Sequence, residues 1–234
     1  MKKIAFGAIA FLMISCERYS TQLKPYQNVD NIANEKRQFI LSTAGFESLD
    51  SLKNMKKSEI KKIFKKHVTS KVYDFEGNEI EGENAFLIDV VKEFKASKNN
   101  PEHRRYPVFI YVNQNDTSYV IPMAGNGLWG PVWGFVALGK DKNTVSGVAF
   151  DHKSETKGFG AEISEKSFQD MFTANPKMVM KEDKYMGLKV VKGGLKYPDH
   201  EVDAISGATI TSNGVSMMLK NVFMPYMKAW KKLK

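Results

Sequence analysis

Val108-Phe109-Ile110-Tyr111-Val112, a polar break at Asn113-Gln114-Asn115-Asp116-Thr117, then Ser118-Tyr119-Val120-Ile121-Pro122-Met123 is the stretch that decides the fold class. β-Branched and aromatic residues on both sides of turn-forming ones predict two strands and a hairpin. Trp133 to Leu138 and Thr144 to Phe150 repeat the pattern around Gly139 to Asn143. This half of the chain therefore reads as largely antiparallel sheet.

Helical spacing lies on both sides of it. Towards the N-terminus, Ser97 to Arg105 is a polar connector, preceded by a short helix near Ala85 to Phe94 and a strand or hairpin from Val72 to Ile80. Further back, Val29, Ile32, Ala33, Phe39, Ile40 and Leu41 predict a helix over 28–41, with Gly45 as its stop. Towards the C-terminus a helix is expected at Ser164 to Phe172 and a strand at Leu188 to Val191. From Val215 onward Met218, Leu219, Val222, Phe223, Tyr226 and Trp230 mark one long amphipathic helix, strained by Pro225. The expected class is α+β, mainly antiparallel sheet packed with helices. The boundaries drawn are 1–22 for an anchor or signal, 23–100 for an α-rich region and 101–234 for a ligand-binding α+β domain.

A hydrophobic fraction of 42% and an aromatic fraction of 12% are ordinary globular values and exclude wholesale disorder or a polytopic membrane protein. The net charge of +9 is concentrated: Lys53, Lys56, Lys57, Lys61, Lys62, Lys65, Lys66 and Lys71 are opposed only by Glu59. As a helix this stretch puts Ile60, Ile63, Phe64 and His67 on one face and most lysines on the other. A solvated face and contact with anionic lipid are the readings it supports. No recognition motif accompanies the charge, so nucleic acid is not an expected partner. The single cysteine, Cys16, excludes an internal disulfide or thiolate cluster, and no metal site is expected among the scattered histidines. His152 and His200 read as surface or hydrogen-bonded structural residues.

The chain opens with Lys2 and Lys3 and an apolar run from Ile4 to Ser15. As a helix these twelve residues reach about 18 Å, short of a bilayer core of about 30 Å. Leu12-Met13-Ile14-Ser15-Cys16 resembles a bacterial lipobox. An acylated Cys16, a short single-pass helix and a cleaved signal all remain open. The first two place the rest of the chain outside the inner membrane.

The stretch richest in chemistry is Asp203-Ala204-Ile205-Ser206-Gly207-Ala208-Thr209-Ile210-Thr211-Ser212-Asn213-Gly214. Ser206, Gly207 and Ala208 let a ligand approach the backbone, and Thr209 offers a hydroxyl beside them. Amides and dipole of a helix beginning near Ser212 would stabilise an anion there by about 1 kcal/mol. The bland reading is a turn followed by a cap at Thr211 or Ser212.

Context favours the ligand. Asp203 followed by Ser206-Gly207-Ala208-Thr209 resembles the flavinylation motif, whose last threonine receives FMN as a phosphoester from a dedicated flavin transferase. Leu23-Lys24-Pro25, Gln27, Ile40-Leu41, Gly125-Asn126-Gly127-Leu128-Trp129-Gly130 and Glu155-Thr156-Lys157-Gly158-Phe159-Gly160-Ala161-Glu162 extend the likeness. Together they resemble the C subunits of the sodium-translocating NADH:quinone reductases, with the G subunit of the Rnf complex as a more distant relative. The resemblance implies covalent FMN on Thr209, with Asp203 read by the transferase. It also implies a cell inner membrane location with the soluble domain outside, and an electron-carrying role among the subunits of an NADH:quinone reductase. No residue is expected to be catalytic by itself. Flat contact with the flavin ring is expected from Leu128, Trp129 or Phe159, and hydrogen bonds from Thr156 and glycine amides such as that of Gly158. Lys157 and Phe159 stand where the family usually has proline and leucine. An Rnf-type subunit, or a lipoprotein holding a phosphorylated ligand noncovalently, are the alternatives.

Overall fold

The computed structural model describes residues 25–97, 100–114 and 116–232, so the expected anchor and Cys16 lie outside the described residues. Helix α1, Pro25–Thr43, stops where Gly45 turns the chain at φ 86°. A short α2, Leu49–Lys53, is capped by the Ser48 side chain and leads to the lysine-rich α3, Lys57–His67. Ile60 of α3 is buried, Ile63, Phe64 and His67 are half-buried, and the lysines of this helix face solvent, as the amphipathic spacing required. None of the helices among the described residues is long and apolar enough to cross a membrane.

Strands β1 (Val68–Tyr73), β2 (Tyr106–Asn113), β3 (Asp116–Asn126), β4 (Pro131–Leu138) and β5 (Val145–His152) form one antiparallel sheet in sequence order. Alternate residues serve opposite faces. Phe109, Tyr111, Val120 and Ala137 meet Ile40, Leu41, Leu52 and Ile60 in a core beneath α1 to α3. Val108, Ile121, Val136 and Phe150 join a second core with the C-terminal helices. Burial on both faces explains why the strands read as nearly continuous apolar runs rather than strict alternations.

Three expected helices are broken. Helix α4 covers only Val90–Ala96, after a single 3-10 turn at Ala85–Leu87. Asn84 and Asp89 each accept amide hydrogen bonds from residues just ahead, so both start a helix and the first is cut short. The 164–172 segment is α5, Lys166–Gln169, between 3-10 turns at Gly160–Ser164 and Asp170–Phe172. A ribbon of β6 (Met180–Lys181) and β7 (Lys184–Tyr185) follows. Next, β8 (Lys189–Val191) pairs in parallel with β9 (Glu201–Asp203). The C-terminal helix is two helices, α6 (Thr209–Val222) and α7 (Met224–Lys232), with Pro225 in the first turn of α7, where a missing amide costs nothing. The first strand also begins earlier than expected, at Val68 directly after α3, and only a bridge between Tyr73 and Glu79 remains of the second arm.

Tyr226 locks α7 to the sheet. Fully buried, it donates to the Pro107 carbonyl at 2.7 Å and meets Tyr73 and Tyr106 edge to face. Burial pushes its phenol well above the ordinary value.

The two ends of the sheet have different neighbours. At one end lie the turn after β3, residues 127–130, the segment leaving β5 at His152, and α6, whose Gly214 packs on the Asn126 carbonyl. At the other end the last turn of α1 packs on Gly147 through Thr43, and Ser118 donates to the Ala44 carbonyl. Earlier residues of α1, from Ile32 to Phe39, line a cleft with Trp133 and Asp151, nearer the first end.

Candidate functional site

The turn from Asp203 to Thr209 hands the chain from β9 to α6. Ala208 donates its amide to the Ile205 carbonyl at 3.1 Å, and Gly207 follows the turn at φ 73°, a left-handed conformation that glycine adopts without strain. The Ala208 carbonyl then accepts from Ser212 at 2.9 Å, so Thr209 is already the first helical residue. The helix start expected near Ser212 is thus three residues too late, because the glycine completes the turn before Thr209. Neither Thr211 nor Ser212 caps the helix: Thr211 donates its hydroxyl to Glu155, and Ser212 Oγ accepts from the Ile205 amide at 3.2 Å. No side chain caps the N-terminus, and the first amides of this fourteen-residue helix have no intrahelical acceptor. Thr209, Ser206, Gly207 and Asp203 are exposed, whereas Ala208 is buried beneath them.

The two loops singled out in the sequence come to this turn. Phe159 lies against Gly207 so closely that a Cβ there would stand 2.8 Å from its ring, and about half of Phe159 remains exposed. In the other loop Leu128 and Trp129 are also exposed, Trp129 at 64%. These three apolar side chains and Ile210 of the first helical turn give this end of the sheet an open apolar surface. Thr156 is exposed, and its carbonyl accepts from Phe159 and Ala161, both at 3.1 Å, which shapes the loop with Lys157 in the place expected for proline. Gly158, at φ 76°, donates its amide to Glu162 Oε1 at 2.9 Å, and Gly127 donates to Gly130 at 2.7 Å. The amides of Gly127 and Gly158 are therefore spent inside the loops, and the exposed Thr156 side chain and the first amides of α6 are the donors that face outward.

Sequence reasoning did not single out the residue that joins these parts. Glu155 is buried, and its carboxylate accepts from the Trp129 amide at 2.8 Å and from Thr211 Oγ at 2.5 Å. The signal available was its place directly before Thr156 in a glycine-rich loop. His152 and His200 are both buried and hydrogen-bonded: His152 Nδ1 accepts from the Glu155 amide at 3.1 Å, and His200 Nδ1 contacts the Met178 carbonyl. Among the described residues no acidic, histidine and cysteine cluster could hold a metal ion.

A long groove of about 810 Å³ runs from Asn126 and Asn213 along α6, past Met217 and Met218 to Tyr106. Asn213 and Met217 are four and eight residues beyond Thr209, hence on its side of the helix.

An FMN group fits these residues on three counts. A phosphate suits the uncapped, glycine-preceded helix start. The ribityl chain needs open backbone, which Ser206 and Gly207 provide. The flat ring needs exposed apolar surface with few polar groups, which Phe159, Trp129 and Leu128 present around Thr156.

Comparison with known proteins gives the same direction. The family model for the FMN-binding domain matches residues 127–223, a span that contains Leu128, Trp129, the 155–160 loop and the turn from Asp203 to Thr209. The Na(+)-translocating NADH-quinone reductase C subunit of Vibrio alginolyticus is 35% identical over 201 residues, 79% of this chain and 75% of its own length. That of Vibrio anguillarum is 31% identical over 233 residues, 92% of this chain and 87% of its own. Among solved structures, the C subunit of Parabacteroides distasonis superposes with a TM-score of 0.73 at 34% identity, covering 90% of this chain and 98% of that one. Shewanella oneidensis NqrC, 24% identical with a TM-score of 0.69, shares the fold over 86% of this chain and 98% of its own.

Proposed function

The chain belongs to the family of C subunits of the sodium-translocating NADH-quinone reductases, and from that premise we propose that it carries FMN joined through its phosphate to Thr209 and serves as an electron-carrying subunit of such a complex. The observation that carries this reading is the exposed Thr209 hydroxyl on the first residue of an uncapped helix, one residue beyond a glycine turn. Bound FMN supplies one- and two-electron redox chemistry. The side chains supply the rest. Helix amides 209–211 would neutralise the phosphodiester, Leu128, Trp129 and Phe159 would offer the ring flat apolar contact, and Thr156 would supply a hydrogen bond. Asp203, exposed at the end of β9, is the residue a flavin transferase reads during maturation.

A covalent link reconciles retention with exposure. Apolar groups this open hold a free flavin weakly, yet a carrier that passes electrons to other members of the complex needs an accessible ring edge. Residues 1–22 are proposed as the anchor, with 23–100 and 101–234 following outside the inner membrane, in a complex that passes electrons from NADH towards quinone coupled to sodium export. The early part of α1 runs towards the Thr209 end of the sheet, which would bring the flavin near the membrane and its partners.

The test is the full chain produced with its flavin transferase and run on an unstained denaturing gel. Wild type is expected to give a fluorescent band and Thr209→Val none. A band of equal strength in the variant, or no FMN adduct in the intact mass of the wild type, would sink the proposal.

A further inference from the structure

The geometry points to Glu155 as the positioning residue of this site. Its functional part rests on the flavin reading above, and its structural part does not. The Glu155 side chain reaches two partners far apart in sequence, Trp129 twenty-six residues earlier and Thr211 fifty-six residues later. One belongs to the loop that exposes Leu128 and Trp129, the other to the first turn of α6, two residues after Thr209. Glu155 itself begins the loop that carries Thr156 and Phe159. One carboxylate therefore ties both ring-contacting loops to the helix that bears the attachment threonine.

The slot is fitted to it. A Cβ on Gly127 would stand 2.5 Å from Glu155 Oε1, and one on Gly160 would stand 2.6 Å from Thr211 Oγ1. At both positions a side chain would have to displace this carboxylate or its hydroxyl partner. The two donors are a neutral amide and a neutral hydroxyl, and bonds from such donors to a carboxylate are shorter and stronger than those between neutral groups. Binding the Thr211 hydroxyl has a second consequence. Of the two threonines at this helix start, Thr211 is buried and engaged while Thr209 is open, so of these two hydroxyls only that of Thr209 is accessible from outside.

Shape and charge are separated by substitution. Glu155→Gln keeps an oxygen for the Trp129 amide and an amide for Thr211 Oγ, but removes the charge. Glu155→Ala and Thr211→Val remove the joint. Hydrogen exchange of the Trp129 amide, measured in the flavin-free Thr209→Val chain, reads the joint without any cofactor. Added there, Glu155→Ala is expected to speed that exchange about tenfold or more, the low end for losing a hydrogen bond to a charged group. Thr211→Val should speed it less and Glu155→Gln little.

In the flavinylated chain Glu155→Ala and Thr211→Val should change the visible circular dichroism of the flavin. Glu155→Gln should keep that spectrum and raise the midpoint potential, because adding electrons next to a buried negative charge is disfavoured. The inference is overturned if Trp129 exchange and flavin dichroism stay at wild-type values in both Thr211→Val and Glu155→Ala, or in Thr211→Val alone should Glu155→Ala fail to fold. An unaltered potential in Glu155→Gln overturns the charge part. If wild type carries no flavin, the proposed function falls while Trp129 exchange still decides the joint.

Discussion

Two hairpin turns of the same sheet close in opposite ways. Between β4 and β5 the turn is gathered by Asp141 and then bound along its edge to the neighbouring segment, where Asn143 accepts from Val179 at 3.1 Å and from Met180 at 2.7 Å and Thr144 bridges Met178. Asp141 Oδ1 accepts from the amides of Asn143 and Thr144, both at 2.9 Å, Oδ2 accepts from the Thr144 hydroxyl, and Gly139 and Lys142 complete the backbone bonds. Between β3 and β4 only Gly127 bonds within the turn; Trp129 gives its amide to Glu155 and its carbonyl accepts from Ser154. The first turn shows polar side chains to water, and the second shows Leu128 and Trp129. A turn whose polar groups are met by its own residues and a neighbouring segment leaves no large apolar side chain to be covered. One that is held by a distant buried carboxylate while exposing large apolar groups is arranged for something it must touch.

The contrast is broken most severely at glycine. Gly214 in α6 packs on the Asn126 carbonyl, and a Cβ there would overlap that oxygen, whereas a Cβ on Gly139 meets nothing closer than 3.7 Å. Gly214→Ala is expected to cost about 2–3 kcal/mol, as overpacking does in a tight contact. Gly139→Ala should be neutral or stabilising by up to about 1 kcal/mol through a less flexible unfolded chain. Urea unfolding of the two variants measures both; equal losses would mean that the ends of the sheet are packed alike.

A smaller pair of changes separates stability from flavin contact. Asp141→Ala removes three acceptor contacts and is expected to cost about 1–2 kcal/mol, with the fluorescent band on the denaturing gel unchanged. Trp129→Ser removes an exposed ring and should stay within about 0.5 kcal/mol of wild type. It should nevertheless change the fluorescence of the native flavinylated chain. If Trp129→Ser destabilises as much as Asp141→Ala, the exposed tryptophan is a packing residue and the contrast between the turns fails.

Legibility followed the same division. The strands from β2 to β5 were readable because β-branched and aromatic runs alternate with polar turns. The amphipathic face of α3 was readable from Ile60, Ile63, Phe64 and His67. Helices were misjudged where short side chains bind the backbone: Asn84 and Asp89 divided one expected helix, and Gly207 moved the start of α6 ahead of Ser212. The Thr209 motif was legible as a local string. Glu155 was not, because its role depends on partners at positions 129 and 211 that only the folded sheet brings to it, and no local spacing encodes that meeting.

The mildest way to sharpen the comparison is acid. Burial pushes the Asp141 carboxyl up, but the hydroxyl and amide of Thr144 and the amide of Asn143 outweigh it and hold it below the usual aspartate value of 3.8. A carboxylate with a depressed folded value stabilises the fold fully above its unfolded value and loses that contribution as pH falls through the folded one. Between neutral pH and about pH 5 the β4–β5 turn should therefore not change. Below about pH 4 its grip should fade, because protonated Asp141 is a poorer acceptor for three donors at once. Amide exchange at Asn143 and Thr144, corrected for its intrinsic pH dependence, should lose protection there in wild type, while Asp141→Asn, which cannot titrate, should show no such step. A step of the same size in Asp141→Asn would mean that acid acts on the turn through another group, and that the 178–180 segment rather than Asp141 holds Asn143 and Thr144 in place.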